Sequence, residues 1–289
     1  MLLLNASGCL DALTAPDVAC SLDAFVTKTI TPHPREGNQP VRIAETDVGM
    51  LNTIGLANPG RDGFLADVLP RLRSIGIPIW VSVGGFAAAE YADTCAALED
   101  VAAIELNLSC PNVDEAPESA AEIVAACRKT TGLPLYAKLS PALPDIAAVA
   151  VAVQEAGADG LSLVNTIRGL KLDRATLRPV LSREVGGLSG PALRPIALAA
   201  VHACYRATGM PIVGMGGVAT GGDALELIAA GAEAVAVGTI LFSDPSAPDR
   251  IRGELEAELA GRGLADAAQV RGIAHEDREV NTKKPLQFA

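Results

Sequence analysis

Eight short apolar runs rich in β-branched residues recur along the chain, at residues 2–6, 24–27, 78–83, 103–106, 133–139, 160–164, 211–215 and 234–237. Helix-length amphipathic segments lie between most of them, at 62–74, 88–98, 118–130, 145–156, 191–207, 222–230 and 248–259. Such alternation predicts right-handed βα units and a parallel sheet, because parallel neighbours need a crossover of about helix length. The words G-A-D-G (157–160) and G-A-E-A (231–234) lead helical segments into the next run. Eight units of this kind predict an α/β fold closed into a (β/α)8 TIM barrel. A doubly wound open sheet is the competitor, but it needs no eighth strand and usually carries a phosphate fingerprint after its first.

A length of 289 residues suits one barrel with insertions, so a single domain spanning 1–289 is expected. Hydrophobic residues make up 49 % and aromatics only 3 %, which favours close helix-on-sheet packing over an extended recognition surface. The formal charge of −11 argues against nucleic acid or an anionic membrane surface as partner. No apolar run reaches the length of a membrane span, and Met1 to Leu4 lack the basic flank of a signal peptide, so a cytoplasmic location is expected. Six cysteines are scattered without a C-x-x-C pair, and three histidines (His33, His202, His275) are too few for a histidine-based triad or metal centre. No metal site is expected. The tail from Gly261 onward is charged and weakly periodic, which predicts a solvated terminus.

Chemistry concentrates at the ends of the strand-like runs. N-L-S-C-P-N (107–112) sets Cys110 among amide side chains directly after one of them. A thiol there can serve as a base if its surroundings stabilise the thiolate, and asparagines can hold a planar substrate over it; a buried cysteine that merely ends a strand is the structural alternative. Lys28 and Lys138 follow two other apolar runs, and lysine is seldom buried without a partner. They point either to an ion pair across the barrel mouth or to an anionic ligand. G-M-G-G-V (214–218) and V-G-T (237–239) follow the last two runs, where glycines can expose backbone N–H groups to a phosphate. Two connections, 28–61 and 166–189, exceed simple turns and are expected to crown the C-terminal face of the barrel.

Ten words in order, N-A-S-G (5–8), T-K-T (27–29), R-E-G-N (35–38), N-T-I-G-L-A-N-P-G (52–60), N-L-S-C-P-N (107–112), A-K-L-S-P (137–141), V-N-T (164–166), G-G-L-S-G-P (186–191), G-M-G-G-V and V-G-T, resemble the soluble class 1 dihydroorotate dehydrogenases over nearly the whole chain. The resemblance implies an FMN-dependent oxidoreductase of pyrimidine biosynthesis that converts (S)-dihydroorotate to orotate, with hydride passing to FMN N5. It places FMN against Ser7, Lys28, Thr29, Ser82, Asn107, Lys138, Val164, Gly190, Gly216, Gly217, Gly238 and Thr239. Substrate contacts would fall on Lys28, Asn52, Thr53, Ile54, Gly55, Leu56, Asn107, Asn112, Asn165 and Thr166. Cys110 would be the catalytic base that removes the C5 proton, and Lys138 would stabilise the reduced flavin. Ser82 stands where the family commonly has asparagine, which implies an altered flavin hydrogen bond, and the chain starts almost on its first strand, which implies a less covered barrel floor.

The words A-E-T (44–46), G-M-L-N (49–52) and N-P-G (58–60) look most like class 1B, implying electron transfer to NAD through a partner subunit carrying FAD and a 2Fe–2S cluster. A homodimer is likewise implied. Three alternatives stay open on sequence: a fumarate-dependent class 1A enzyme, a dihydropyrimidine dehydrogenase-type enzyme with the same cysteine loop, and a flavin-binding interaction subunit without turnover.

Overall fold

In the computed structural model, which describes residues 1–108 and 119–276, each of the eight apolar runs contains a strand. In chain order the strands are β1 (Leu2–Asn5), β2 (Phe25–Val26), β3 (Ile43–Thr46), β4 (Gly49–Asn52), β5 (Ile79–Val83), β6 (Ala103–Asn107), β7 (Leu135–Lys138), β8 (Gly160–Leu163), β9 (Ile167–Leu170), β10 (Val185–Ser189), β11 (Ile212–Met215) and β12 (Ala234–Val237). Eight of them pair in parallel in the order β1-β12-β11-β8-β7-β6-β5-β2. A parallel bridge from Leu4 to Ala24 brings the two ends together, giving the expected nearly closed barrel. At that seam the Asn5 amide donates to the Val26 carbonyl and accepts from the Val26 N–H, each at 2.8 Å.

The strands are apolar on both faces because both are covered. Leu3, Val81, Val83, Ile104, Leu106, Ala137, Leu161 and Leu163 pack in one cluster with helix residues such as Val124, Val153, Ala197 and Leu227. Leu4, Val26, Val213, Met215, Ala234 and Ala236 form a second cluster with Trp80 and Tyr136. The Trp80 and Tyr136 rings lie 4.4 Å apart and tilted, and a Cβ on Gly160 would sit 2.3 Å from the Tyr136 ring. Glycine at 160 is therefore what makes room for the tyrosine.

The helices begin where side chains satisfy orphan N–H groups. Ser119 with Glu122 and Thr220 with Asp223 form capping boxes on Ala120–Arg128 and Gly221–Ala229, and Asp145 caps Ile146–Glu155. Helix Arg194–Thr208 ends at Gly209 in the left-handed conformation (φ 64°). The helix expected at 62–74 is interrupted: a π turn at Phe64–Val68 separates Gly60–Gly63 from Leu69–Arg73. Pro70 has no N–H to return to Ala66, and Leu69 donates instead to the Phe64 carbonyl, one residue further back.

The long connections pair with each other as an antiparallel sheet, β3-β4-β10-β9, with its own small core of Ala44, Leu51 and Leu181, a pairing the sequence did not announce. One expectation needs correction. The tail is not solvated throughout, since Ala267 and Val270 are buried and Arg271 pairs with Glu233 at 2.8 Å. His275 stacks on His202 with centroids 4.0 Å apart. Among the described residues no helix is long and apolar enough to cross a membrane.

Filling the space beside Tyr136 tests the inner packing. Gly160→Ala should lower stability by about 1–3 kcal/mol by forcing the ring off its rotamer or against Trp80. The readout is the midpoint of denaturant unfolding followed by circular dichroism, and an unchanged midpoint would mean the ring yields freely.

Candidate active site

A cavity of about 460 Å³ opens where the barrel strands end and the two insertions fold over them, a volume typical of small-molecule sites. Its wall contains Ser7, Lys28, Thr29, Asn107, Lys138, Val164, Gly190, Gly216, Gly217, Gly238 and Thr239, together with Asn52, Ile54, Gly55, Leu56, Asn165 and Thr166. Residues scattered over more than two hundred positions thus converge on one hollow. Two expected positions do not line it. Ser82 is fully buried behind Thr29, with its Oγ 2.9 Å from Thr29 Oγ1, and Thr53 is fully buried and receives hydrogen bonds from Asn38. Ser82 thus backs the lining residue Thr29, while Thr53 holds Asn38 within the first insertion. Cys110 and Asn112 lie outside the described residues.

A relay of short side chains crosses the barrel mouth. Asn165 Nδ2 donates to Asn107 Oδ1 at 3.1 Å, and Asn107 Nδ2 donates to Thr29 Oγ1 at 3.1 Å. Thr29 continues to Ser82, and Ser7 Oγ donates to the Thr27 carbonyl at 3.0 Å. Asn165 Oδ1 also accepts from the Thr166 N–H at 2.8 Å, fixing the start of the second insertion. Bonds of this kind hold the amides in one orientation before a ligand arrives, which reduces the ordering cost of binding.

The two lysines reach the cavity from different supports. Gly8, at φ 78°, lets the Lys28 side chain lie close over the loop after β1: a Cβ there would be 2.9 Å from Lys28 Cδ and 3.1 Å from Nζ. Lys138 is 5 % exposed, and its Nζ lies 3.3 Å from Oε1 of Glu105, which is 1 % exposed. Glu105 was not singled out from sequence, although a charged residue inside the apolar run Ala103 to Leu106 was the available signal. Cys9 was also missed. It lines the cavity, and burial pushes its thiol pKa up against the lowering influence of Lys138 and Lys28, which keeps it a neutral thiol.

Glycines at the strand ends permit close backbone approach. Gly190 (φ 100°) and Gly217 (φ 73°) meet so tightly that a Cβ on Gly217 would be 2.8 Å from the Gly190 carbonyl oxygen. On the insertion side, Arg35 stacks over Phe86 with 4.8 Å to the ring centroid and donates to the Gly55 carbonyl at 3.4 Å. Asn58 ties the loop to β2's extension through Thr31, accepting from its N–H at 3.1 Å and donating to its Oγ1 at 2.8 Å.

The comparisons with known proteins agree with this arrangement. The family model described as dihydroorotate dehydrogenase matches residues 2–259. The protein named dihydroorotate dehydrogenase B (NAD(+)), catalytic subunit, from Desulforudis audaxviator is 45 % identical over 264 residues, covering 88 % of this chain and 86 % of the relative. Its namesake from Latilactobacillus sakei is 47 % identical over 257 residues, covering 85 % and 84 %. The fold also matches a crystal structure of DHODH in complex with ferulenol from Eimeria tenella, with TM-score 0.82, 24 % identity and coverage of 96 % and 86 %. By family model and by relatives alike, the chain belongs to the dihydroorotate dehydrogenase family.

Proposed function

We propose that this chain is the catalytic subunit of a B-type dihydroorotate dehydrogenase, oxidising (S)-dihydroorotate to orotate in pyrimidine biosynthesis with FMN in the barrel-mouth cavity. The observation that carries the reading is the convergence of Lys28, Lys138 and the glycine ends of β10, β11 and β12 on a single hollow. In a chain of charge −11, two lysines facing one cavity mark a place built for a ligand with anionic groups. The site fits FMN. Positive φ at Gly190, Gly216 and Gly217 brings main chain to the cavity wall, where N–H groups can face a phosphate, and Gly238 and Thr239 stand beside them. Ser7, Thr29, Asn107, Lys138 and Val164 would hold the ring.

When bound, FMN supplies a two-electron acceptor for the carbon being oxidised. Asn52, Asn107 and Asn165, with Asn112 from beyond the described residues, would bind the pyrimidine edge and carboxylate through paired donors and acceptors, and Lys28 would complement the substrate's charge. Cys110 is assigned as the base that takes the C5 proton. Lys138 would hold positive charge against the cavity where negative charge develops. Closing the cavity beneath the insertion sheet would keep water from the reacting atoms.

The relatives' name, catalytic subunit of an NAD(+)-dependent B-type enzyme, supports a separate electron-transfer subunit. We assign to it the FAD and 2Fe–2S cluster that would carry electrons on to NAD. A second copy of this chain is the further proposed partner. Val41, Ile43, Val48, Leu170, Leu172 and Leu177 of the insertions are exposed, an apolar surface suited to burial in a homodimer.

Three measurements test the reading. Purified protein should be yellow, release FMN rather than FAD, and convert dihydroorotate to orotate with a dye as acceptor; NAD reduction should need the iron–sulfur flavoprotein. A colourless chain that takes up no FMN sinks the enzyme reading, and rapid fumarate reduction by the chain alone would move it to class 1A. Cys110→Ala should bind FMN and orotate but slow flavin reduction by about 10²–10⁴-fold, with Cys110→Ser partly active only at higher pH because a hydroxyl ionises far less readily. Near wild-type reduction in the alanine variant rejects the base assignment. Light scattering should give the mass of two chains, and a monomer at micromolar concentration removes the dimer.

A further inference from the structure

We infer that a second hollow, sharing Lys28 with the flavin cavity, is a binding site for a small apolar molecule, and that its occupant tightens substrate binding. The coupling rests on the flavin and dihydroorotate reading above; the site itself does not. The hollow has a volume of about 120 Å³. Three parts of the chain build its wall: Leu10 and Leu13 in the loop after β1, Phe25 on β2, and Phe64, Val68 and Leu72 on the interrupted helix. Phe64 and Val68 are the first and last residues of the π turn, a turn that recurs at functional sites. Asp11 and Pro59 are exposed members of the wall and mark its opening to solvent.

The occupant's chemistry follows from the polar groups on that wall, which are turned to the chain's own groups. Asn58 uses its full capacity. Its Oδ1 accepts from the Thr31 and Gly60 N–H groups at 3.1 and 2.8 Å, and its Nδ2 donates to Thr31 Oγ1 at 2.8 Å and to the Leu56 carbonyl at 2.7 Å. Thr27 Oγ1 accepts from the Ser82 N–H and donates to the Lys28 carbonyl, both at 3.1 Å. Asp11 Oδ1 accepts from the Leu13 N–H at 3.0 Å, and its exposed carboxylate faces solvent at the opening. A water needs about two to four polar partners to stay in a cavity, whereas an apolar cavity of about 150 Å³ lined by Leu, Ile and Phe stays dry and takes up benzene or xenon. This hollow is close to that one in size and lining, and it suits the same class of ligand.

Three parts of the flavin-cavity wall border the hollow. Lys28 lines both. The loop after β1 places Gly8 and Cys9 on the cavity and Leu10 and Leu13 on the hollow. Asn58 lines the hollow and, through its bond to the Leu56 carbonyl, holds a residue of the substrate-side wall. An occupant packed among these parts would hold them in place before substrate arrives. Less ordering then remains to be done on binding, so the affinity for substrate or product rises.

The experiment pressurises crystals of the FMN-loaded chain with xenon, and titrates the same chain with orotate in the presence and absence of benzene, reading orotate binding from the flavin absorbance. Anomalous scattering should place xenon among Phe25, Phe64 and Val68, and benzene near its saturating concentration should lower the Kd for orotate by about fivefold or more. Val68→Phe, which fills the hollow from the helix side, should lose the xenon peak, and its affinity for orotate should no longer respond to benzene. Should that variant not fold, Leu13→Phe fills the hollow from the loop after β1. Crystals with no xenon in the hollow, an orotate Kd that benzene leaves unchanged or raises, or a benzene effect that persists in the filled variant would each overturn the inference. A chain that takes up no FMN would instead overturn the flavin reading, and xenon in crystals of that chain would still decide the site.

Discussion

Closure of the barrel at the seam between β1 and β2 is the constraint on which the rest of the structure depends. The main-chain ladder there shrinks to one bridge, and the Asn5 amide supplies the two hydrogen bonds that further pairing would have made. Asn5 is fully buried, so its amide and the Val26 peptide would otherwise be stranded in an apolar interior. From one side of this seam come Ser7, Gly8 and Cys9, and from the other Lys28 and Thr29, all of which line the cavity. Asp23 reinforces the joint by accepting from the Leu3 N–H at 2.7 Å and pairing with Arg252 at 3.2 Å. The same short stretch of sequence closes the fold and begins the site.

Charge is distributed unevenly on this frame. Exposed pairs such as Arg262 with Glu258 contribute little, on the order of 0.2–1 kcal/mol each, because water screens them and long side chains lose entropy. The pair of Glu105 and Lys138 is different in kind, since both members are almost wholly buried. Such a pair is weak support for stability, because desolvation offsets most of the attraction. The pair brings two charges into a barrel otherwise filled by Leu4, Val26, Val213 and Met215, with Lys138 against the cavity.

Much of this was legible in the sequence because the period of a buried parallel strand is short and local. Runs such as Val81 to Val83 and Ala234 to Val237 announce themselves without knowledge of their partners, and the words at their ends place Lys28, Asn107, Lys138 and Gly216 at one face. The insertion sheet was not legible. β4 pairs with β10 across more than a hundred residues, and neither strand alternates strongly enough to reveal the match. Ser82 and Thr53 were placed at ligands by their neighbours in sequence, whereas Ser82 is buried against Thr29, which itself lines the cavity, and the fold of the first insertion buries Thr53 against Asn38. Glu105 was hidden for the opposite reason: its importance lies in a lysine 33 residues away, which no local pattern encodes.

The two insertions behave as one body because their main chains meet where side chains cannot fit. A Cβ on Gly49 would lie 2.0 Å from the Ser189 carbonyl oxygen, and one on Gly190 would lie 2.7 Å from the Gly49 Cα. Both glycines take positive φ, at 154° and 100°, a region that most residues avoid. The contact joins β4, which leads into the Asn52 to Leu56 wall, to β10, which leads into Gly190 and the glycine turn beside Gly217. The Asn52 to Leu56 wall and the turn beside Gly217 are therefore held in one register by the Gly49–Gly190 contact. Side chains larger than hydrogen at Gly49 or Gly190 would push the two insertions apart at this point.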